Sequence, residues 1–343
     1  MNYEFLPMIN KDYLCKKSHI MLVWILFIAA VLIFLALDLG IFNKTPHIIS
    51  SKEAGMWTGI WVTLSFAFSG VIYWLYHNNF IANPDKLKPA VASMKFITGY
   101  LIELSLSADN IFVIAVIFAS FKIAQKYQHR VLFWGIIGAI IFRGLMIFFG
   151  VILIRQIDWI TYIFGGFLVF TALKMLFKKE EDEFNPKESF VYKMIGKIIP
   201  ITHHKDKEHF FVKENNRNYA TPLFVTLIVI EFMDMVFAMD SVPAILAITA
   251  DPFLVFSSNI FAILGLRSMY FFLANMLEKF SYLEYSLIAI LTFVGIKMLI
   301  IHHYKFPEWI SLSFIAVSLL TGIVVSLKMA EKETNDKPSK EEE

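Results

Sequence analysis

Nine predominantly apolar stretches divide this 343-residue chain. They cover residues 20–42, 56–76, 93–119, 131–154, 159–177, 220–249, 257–277, 283–301 and 308–328. Each is long enough, at about 20 residues, to cross the hydrocarbon core of a bilayer. Inside that core every backbone N–H and C=O must find a partner within the protein, which leaves helices and closed barrels. Continuous apolar runs of this length point to helices, because barrel strands are shorter and alternate in polarity. Composition agrees. The chain is 57% hydrophobic and 17% charged, against about a quarter charged in soluble domains. The expected fold class is an all-α polytopic membrane protein of about nine transmembrane helices.

Several function classes drop out early. The single cysteine, Cys15, excludes an internal disulfide and any multi-cysteine metal site. A net charge of +2 with segregated charges gives no nucleic-acid surface. The first apolar stretch is too long for a cleaved signal core and reads as a retained span. Segments 1–92 and 302–343 flank two three-span units, 93–177 and 219–301, with a polar connection over 178–218 between them. That connection holds His203, His204 and His209, read as a solvated face rather than a metal site. The tail from Glu331 is low in complexity and expected to be disordered. With nine spans, 19 Lys and Arg fall on the side of the 178–218 connection and the C-terminus, and eight on the other. The basic side is cytoplasmic by the usual bias, which puts the N-terminus outside.

With Lys95 and Lys328, at the margins of their stretches, counted on the flanking sides, the four remaining basic residues lie within the spans and belong to a pattern that occurs twice. Glu103, Asp109, Arg143 and Lys174 form the first copy; Asp234, Asp240, Arg267 and Lys297 form the second. In both, an acid precedes an aspartate by six residues, an Arg follows in the next span, and a Lys-Met-Leu triplet closes the third. A unit of three spans is odd, so its second copy enters the membrane from the opposite side. The expected architecture is therefore a pair of inverted three-helix repeats, a plan that places ion sites near the midplane. Charges at that depth cost roughly 3 kcal/mol or more and mark ion or proton paths.

The donors are hard oxygens. Asn110 follows Asp109 and Ser241 follows Asp240, while Glu231 stands one turn before Asp234 on the same helix face. Carboxylate, amide and hydroxyl suit Mg²⁺, Ca²⁺ or Mn²⁺, whereas Zn²⁺ and copper recruit His or Cys. All nine histidines lie outside the spans. Residues six apart point about 240° away from each other on a helix, so the acids of one span cannot face one point. Either the helix unwinds between them or each acid serves a different neighbour. Pro243 favours unwinding, since it frees the Met239 carbonyl beside Asp240. Arg143 and Arg267 balance the acids when no ion is present. Lys174 and Lys297 lie near span ends, where long side chains snorkel to the interface. Asp38 has no counterpart in the repeat.

The segments LIELSLSADNIFVIAVIFASF, HRVLFWGIIGAIIFRGLMI and FMDMVFAMDSVPAILAIT carry a resemblance. In them the chain is similar to the TerC family of integral membrane proteins, and within it to the Alx-like branch. The likeness runs from about residue 40 to residue 328. It implies a bacterial inner-membrane location, two inverted three-helix units, and acids at Glu103, Asp109, Asp234 and Asp240. It also implies export of Mn²⁺ from the cytoplasm; other members of the family are linked to tellurite resistance or to Ca²⁺ and Mn²⁺ handling, and the hard donors leave Ca²⁺ or Mg²⁺ open as the ion. The expected protein is a divalent-cation exporter without a resident cofactor, not an enzyme. Its ion is held by Glu103, Asp109, Asn110, Asp234, Asp240 and Ser241, with accessory roles for Asp38, Glu231, Met239, Lys174 and Lys297. The alternative is a non-transporting assembly or stress-resistance factor whose charged core is structural. An intramembrane protease lacks support, because no Gly-x-Gly-Asp context and no Ser/His pair occurs within the spans.

Overall fold

The computed structural model describes residues 11–40, 50–157, 159–177, 192, 194, 201, 209–214, 217–274, 283–301, 303–304 and 307–336. Within these it describes all side chains except those of 11–17, 38–40, 108, 109, 112, 214, 217, 218, 274 and 330–336. The described helices are α1 (Lys11–Gly40), α2 (Ser51–His77), α3 (Pro89–Ser120), α4 (Gln125–Gln156) and α5 (Ile160–Leu176), then α6 (Pro222–Leu246), α7 (Pro252–Ala274), α8 (Leu283–Ile300) and α9 (Glu308–Asp336). Seven of them are long and apolar enough to cross a membrane. The other two are α5, a shorter apolar helix of 17 residues, and α3, of 32 residues, in which the side chains of 108, 109 and 112 lie outside those described.

Helix starts follow local chemistry. Ser50 caps α2, its Oγ accepting the Glu53 N–H at 3.3 Å. Pro89 and Pro222 open α3 and α6, where a missing N–H costs nothing. Asp251 precedes α7, and its carboxylate accepts the N–H groups of Phe253 and Leu254 at 3.0 and 3.3 Å. A feature that the all-α expectation did not contain lies just before α6. Strands β1 (Phe211–Glu214) and β2 (Arg217–Ala220) pair antiparallel. Four-residue strands are too short to stand out in a polar connection. His203 and His204 fall outside the described residues, as does most of the 178–218 connection.

Helix α7 runs through the middle of the bundle, with 89% of its membrane window buried, against 17% for α1 and for α2. It packs on α3, α2 and α4. Helix α4 lies against α6, α5 against α8, and α9 against α8 and α3. Phenylalanines from four helices join the outer helices to the centre; the rings of Phe68 on α2 and Phe261 on α7 are 4.6 Å apart. Phe27 and Phe96 pack in the same cluster. The α5–α8 contact is of another kind. A Cβ on Gly165 would lie 2.9 Å from the Gly295 carbonyl oxygen, so only glycine lets the two backbones meet there. Leu22, Leu32, Phe148, Phe149, Phe170 and Leu320 point outward. In water such a surface would aggregate; against acyl chains it is the expected exterior.

Both α3 and α6 are helical from end to end, α6 through Pro243. Unwinding between the paired acids is therefore not how these residues reach their partners. In α6 the two acids turn to different neighbours, Asp234 to Arg143 and Asp240 to Thr171.

Candidate functional site

Arg143 occupies the junction of α3, α4, α6 and α7. It is 1% exposed. Its Nη2 and Nε donate to the two carboxylate oxygens of Asp234 at 2.8 and 3.3 Å, a bidentate fork from α4 to α6. Its Nη1 donates to Asn259 Oδ1 on α7 at 3.1 Å and pairs with the fully buried Glu103 on α3. One guanidinium therefore holds the acids that stand at matching positions of the two copies. Ser105 and Ser107 follow Glu103 along α3 and are buried, and neither hydroxyl has a hydrogen-bond partner among the described residues.

Beside this centre lies a cavity of about 20 Å³, the size of one water or one small ion. Asn110, Glu231, Asp234 and Arg267 give it a polar lining among apolar side chains. Glu231 lies against a glycine on α4. A Cβ at Gly138 would overlap its carboxylate, and its Oε2 is buried without a hydrogen-bond partner. The second arginine of the pattern, Arg267, thus faces the same acids from α7.

Asp240 is drawn elsewhere. Thr171 Oγ1 on α5 donates to its Oδ1 at 3.0 Å, with Lys174 close enough to act on it electrostatically. Ser241 is buried and its hydroxyl has no hydrogen-bond partner. The Met239 side chain is 53% exposed and turned away from both groups. The side chains of Asp109 and Asp38 lie outside those described. The structure thus brings Glu103, Asp234, Arg143, Glu231, Asn110 and Arg267 together, and sets Asp240 in a second group on the α5 side. Among the described residues no three His, Cys, Asp or Glu side chains form a metal-ligating group.

Lys297 corrects the expectation of snorkelling. It is 4% exposed, donates to Ser311 Oγ at 2.9 Å and lies 3.5 Å from Glu308 Oε2. Its counterpart Lys174 is exposed, as a snorkelling side chain would be. Sequence reasoning also missed Asn259, Thr171, Lys95 and Glu308. For Asn259 a signal existed: Ser257-Ser258-Asn259 is an uncharged polar triplet within an apolar stretch, eight residues before Arg267.

These features define an α-helical, multi-pass membrane protein with a buried, ion-paired centre. Residues 89–335 match the family model "Integral membrane protein TerC family", and the chain belongs to that family. An uncharacterized membrane protein of Myxococcus xanthus is 48% identical over 304 residues, 89% of this chain and 91% of its own. One from Rickettsia bellii is 44% identical over 89% of this chain and 96% of its own. A protein of Escherichia coli (strain K12) described as "Putative membrane-bound redox modulator Alx" is 43% identical over 309 residues, 89% of this chain and 94% of its own. No solved structure matches.

Proposed function

We propose that the chain exports a divalent cation across the bacterial inner membrane, with Mn²⁺ as the leading substrate and protons as the exchange partner. The observation that carries this reading is Arg143, buried at bilayer depth and holding Glu103 of α3 and Asp234 of α6 at once. Buried ion pairs are poor stabilisers, so a charged centre here favours function over stability. The donors suit a hard ion, since the unpartnered oxygens of Glu231, Ser105, Ser107 and Ser241 are carboxylate and hydroxyl. In the state described, the arginine supplies the positive charge that an ion would bring. An arriving cation would compete with Arg143 for Asp234, and Glu231 and Asn110 would complete its shell from the adjoining cavity. Asp109, Asp240 and Ser241 complete the proposed ligand set along the path, the last two on the α5 side. On this reading the chain moves an ion and makes or breaks no covalent bond.

The same reading takes α3–α4–α5 and α6–α7–α8 as inverted repeats. Exchanging the two units turns the α3–α7 contact into the α6–α4 contact and leaves α5–α8 unchanged, and all three pairs are close-packed. The 178–218 connection and the C-terminus then face the cytoplasm, so that α3, α7 and α9 begin at the outer side. With Glu231 protonated, the other four carboxylates, the two arginines and one divalent ion sum to zero. Empty, they carry a deficit of two charges that protons would fill.

Flux of Mn²⁺, Ca²⁺, Mg²⁺ and Zn²⁺ into proteoliposomes, with and without a pH gradient, tests the proposal. Mn²⁺ movement that is lost in Asp109→Ala and in Asp240→Ala is expected; wild-type flux in both variants ends the reading. A second reading is a non-transporting membrane factor with a structural charged core. It is favoured by Arg143 already having its acids, and the E. coli relative is described as a redox modulator rather than as a transporter. Absence of flux of all four ions, with the protein folded, would favour it.

A further inference from the structure

Helix α9 lies outside both repeats, yet its first residue is tied to each of them. Glu308 Oε1 is 3.2 Å from Lys95 Nζ on α3, and its Oε2 is 3.5 Å from Lys297 Nζ on α8. Lys95 also donates to the Ile248 carbonyl at 2.6 Å, beyond the last turn of α6. Lys297 is held in place by Ser311 at 2.9 Å. Four helices are thereby joined at one end of the bundle by one carboxylate and two ammonium groups.

The position of this knot matters more than its strength. Lys95, Gly99 and Glu103 follow at intervals of four on α3, one above another on the same face. Gly99 lies against Ser258 on α7, whose Oγ would be 3.0 Å from a Cβ placed there. Ser258 is next to Asn259, the partner of Arg143. A line of polar and small residues therefore runs from the charged centre to Lys95, where the ion pairs cross it. We propose that Lys95, Glu308 and Lys297 form the outer gate, with α9 as a latch. Closed, Glu308 ties α3 of one unit to α8 of the other and leaves a net positive charge over the exit, against return of a cation. Opening requires Glu308 to release at least one lysine. This inference rests on the transport reading for its purpose, but its geometry can be tested apart from transport.

The test uses thiol labelling in a Cys15→Ser background carrying Ser258→Cys, with a membrane-impermeant reagent applied to each side of sealed vesicles in turn. With Glu308 intact, the buried position should react slowly from either side. Glu308→Gln keeps the shape and removes the charge, and should raise the rate from one side only, on the order of tenfold. Glu308→Asp should stay near the parent rate, and Lys95→Gln should reproduce the Glu308→Gln effect if the latter variant folds poorly. An unchanged rate in both Glu308→Gln and Lys95→Gln overturns the gate, whether or not Mn²⁺ flux is seen. Increased labelling without flux in the parent protein keeps the gate and rejects the cation as its cargo.

Discussion

Arg143 shows how much can hang on one side chain in this core. Its removal strands Glu103 and Asp234 as buried, uncompensated acids, a change that costs about 3–5 kcal/mol when a buried pair is broken. Arg143→Ala should therefore lower the melting temperature in detergent strongly, and Arg143→Lys less so, because Lys keeps the charge and loses the fork. Adding Glu103→Gln and Asp234→Asn to Arg143→Ala should recover much of the loss. A triple variant no more stable than the single one would contradict the charge argument. The two lysines of the pattern offer a contrast. Lys297→Ala leaves a cavity and strips partners from Ser311 and Glu308, and should cost about 2 kcal/mol. Exposed Lys174→Ala should stay within about 0.5 kcal/mol. Both are readable as melting shifts. The repeated charges were legible in the sequence because any charge stands out in an apolar stretch. Their partners outside the charge pattern were not. Thr171 and Asn259 are polar without charge, and Glu308 reaches Lys297 from a helix outside the repeat.

At the level of elements, starts were easier to read than contacts. Pro89, Pro222 and Pro252 head α3, α6 and α7 and were signals available beyond the apolar stretches, which began at 93, 220 and 257, whereas hairpin β1–β2 holds only four residues a strand and leaves no such mark. Asp251 illustrates what a cap adds. Burial raises the pKa of its carboxyl, so the folded state favours the protonated form. Its unfavourable contribution therefore grows as pH rises above the ordinary carboxylate value near 4. Asp251→Asn keeps an acceptor for the Phe253 and Leu254 N–H groups and removes that penalty. It should match or exceed the parent in stability at pH 7, with the advantage shrinking towards pH 4. Asp251→Ala loses the cap and should cost about 1 kcal/mol. Melting curves of the two variants across pH 4 to 8 decide the matter. Gly295→Ala tests the α5–α8 seam. The new methyl would meet Val169 at 2.8 Å and the Gly165 carbonyl at 3.0 Å, so a loss of about 1–3 kcal/mol is expected from overpacking.

For the whole molecule, the helical, membrane-spanning class, the duplicated charge pattern and the basic connection were open to a reader of the sequence. The route taken by the acids was not, because periodicity says which way a side chain points and not which neighbour stands there. Six residues apart on an unbroken helix, Asp234 turns to α4 and Asp240 to α5. Orientation is the molecular prediction that follows. Reporter fusions after Lys328 should read cytoplasmic, and a tag inserted at Asn83, between α2 and α3, should be reached from outside. The opposite pair of signals would turn the proposed exporter around.

Arg143 has one more consequence, and it concerns voltage. A guanidinium keeps its proton at any pH a cell meets, so this residue holds a fixed charge through every step. Only the carboxylates and the cargo can then alter the charge of the centre. If one divalent ion leaves as two protons enter, the cycle carries no net current. Initial Mn²⁺ flux should then be the same whether a potassium–valinomycin clamp sets the vesicle interior positive, negative or at zero. A flux that follows the clamp would mean that the protons returning are fewer or more than two.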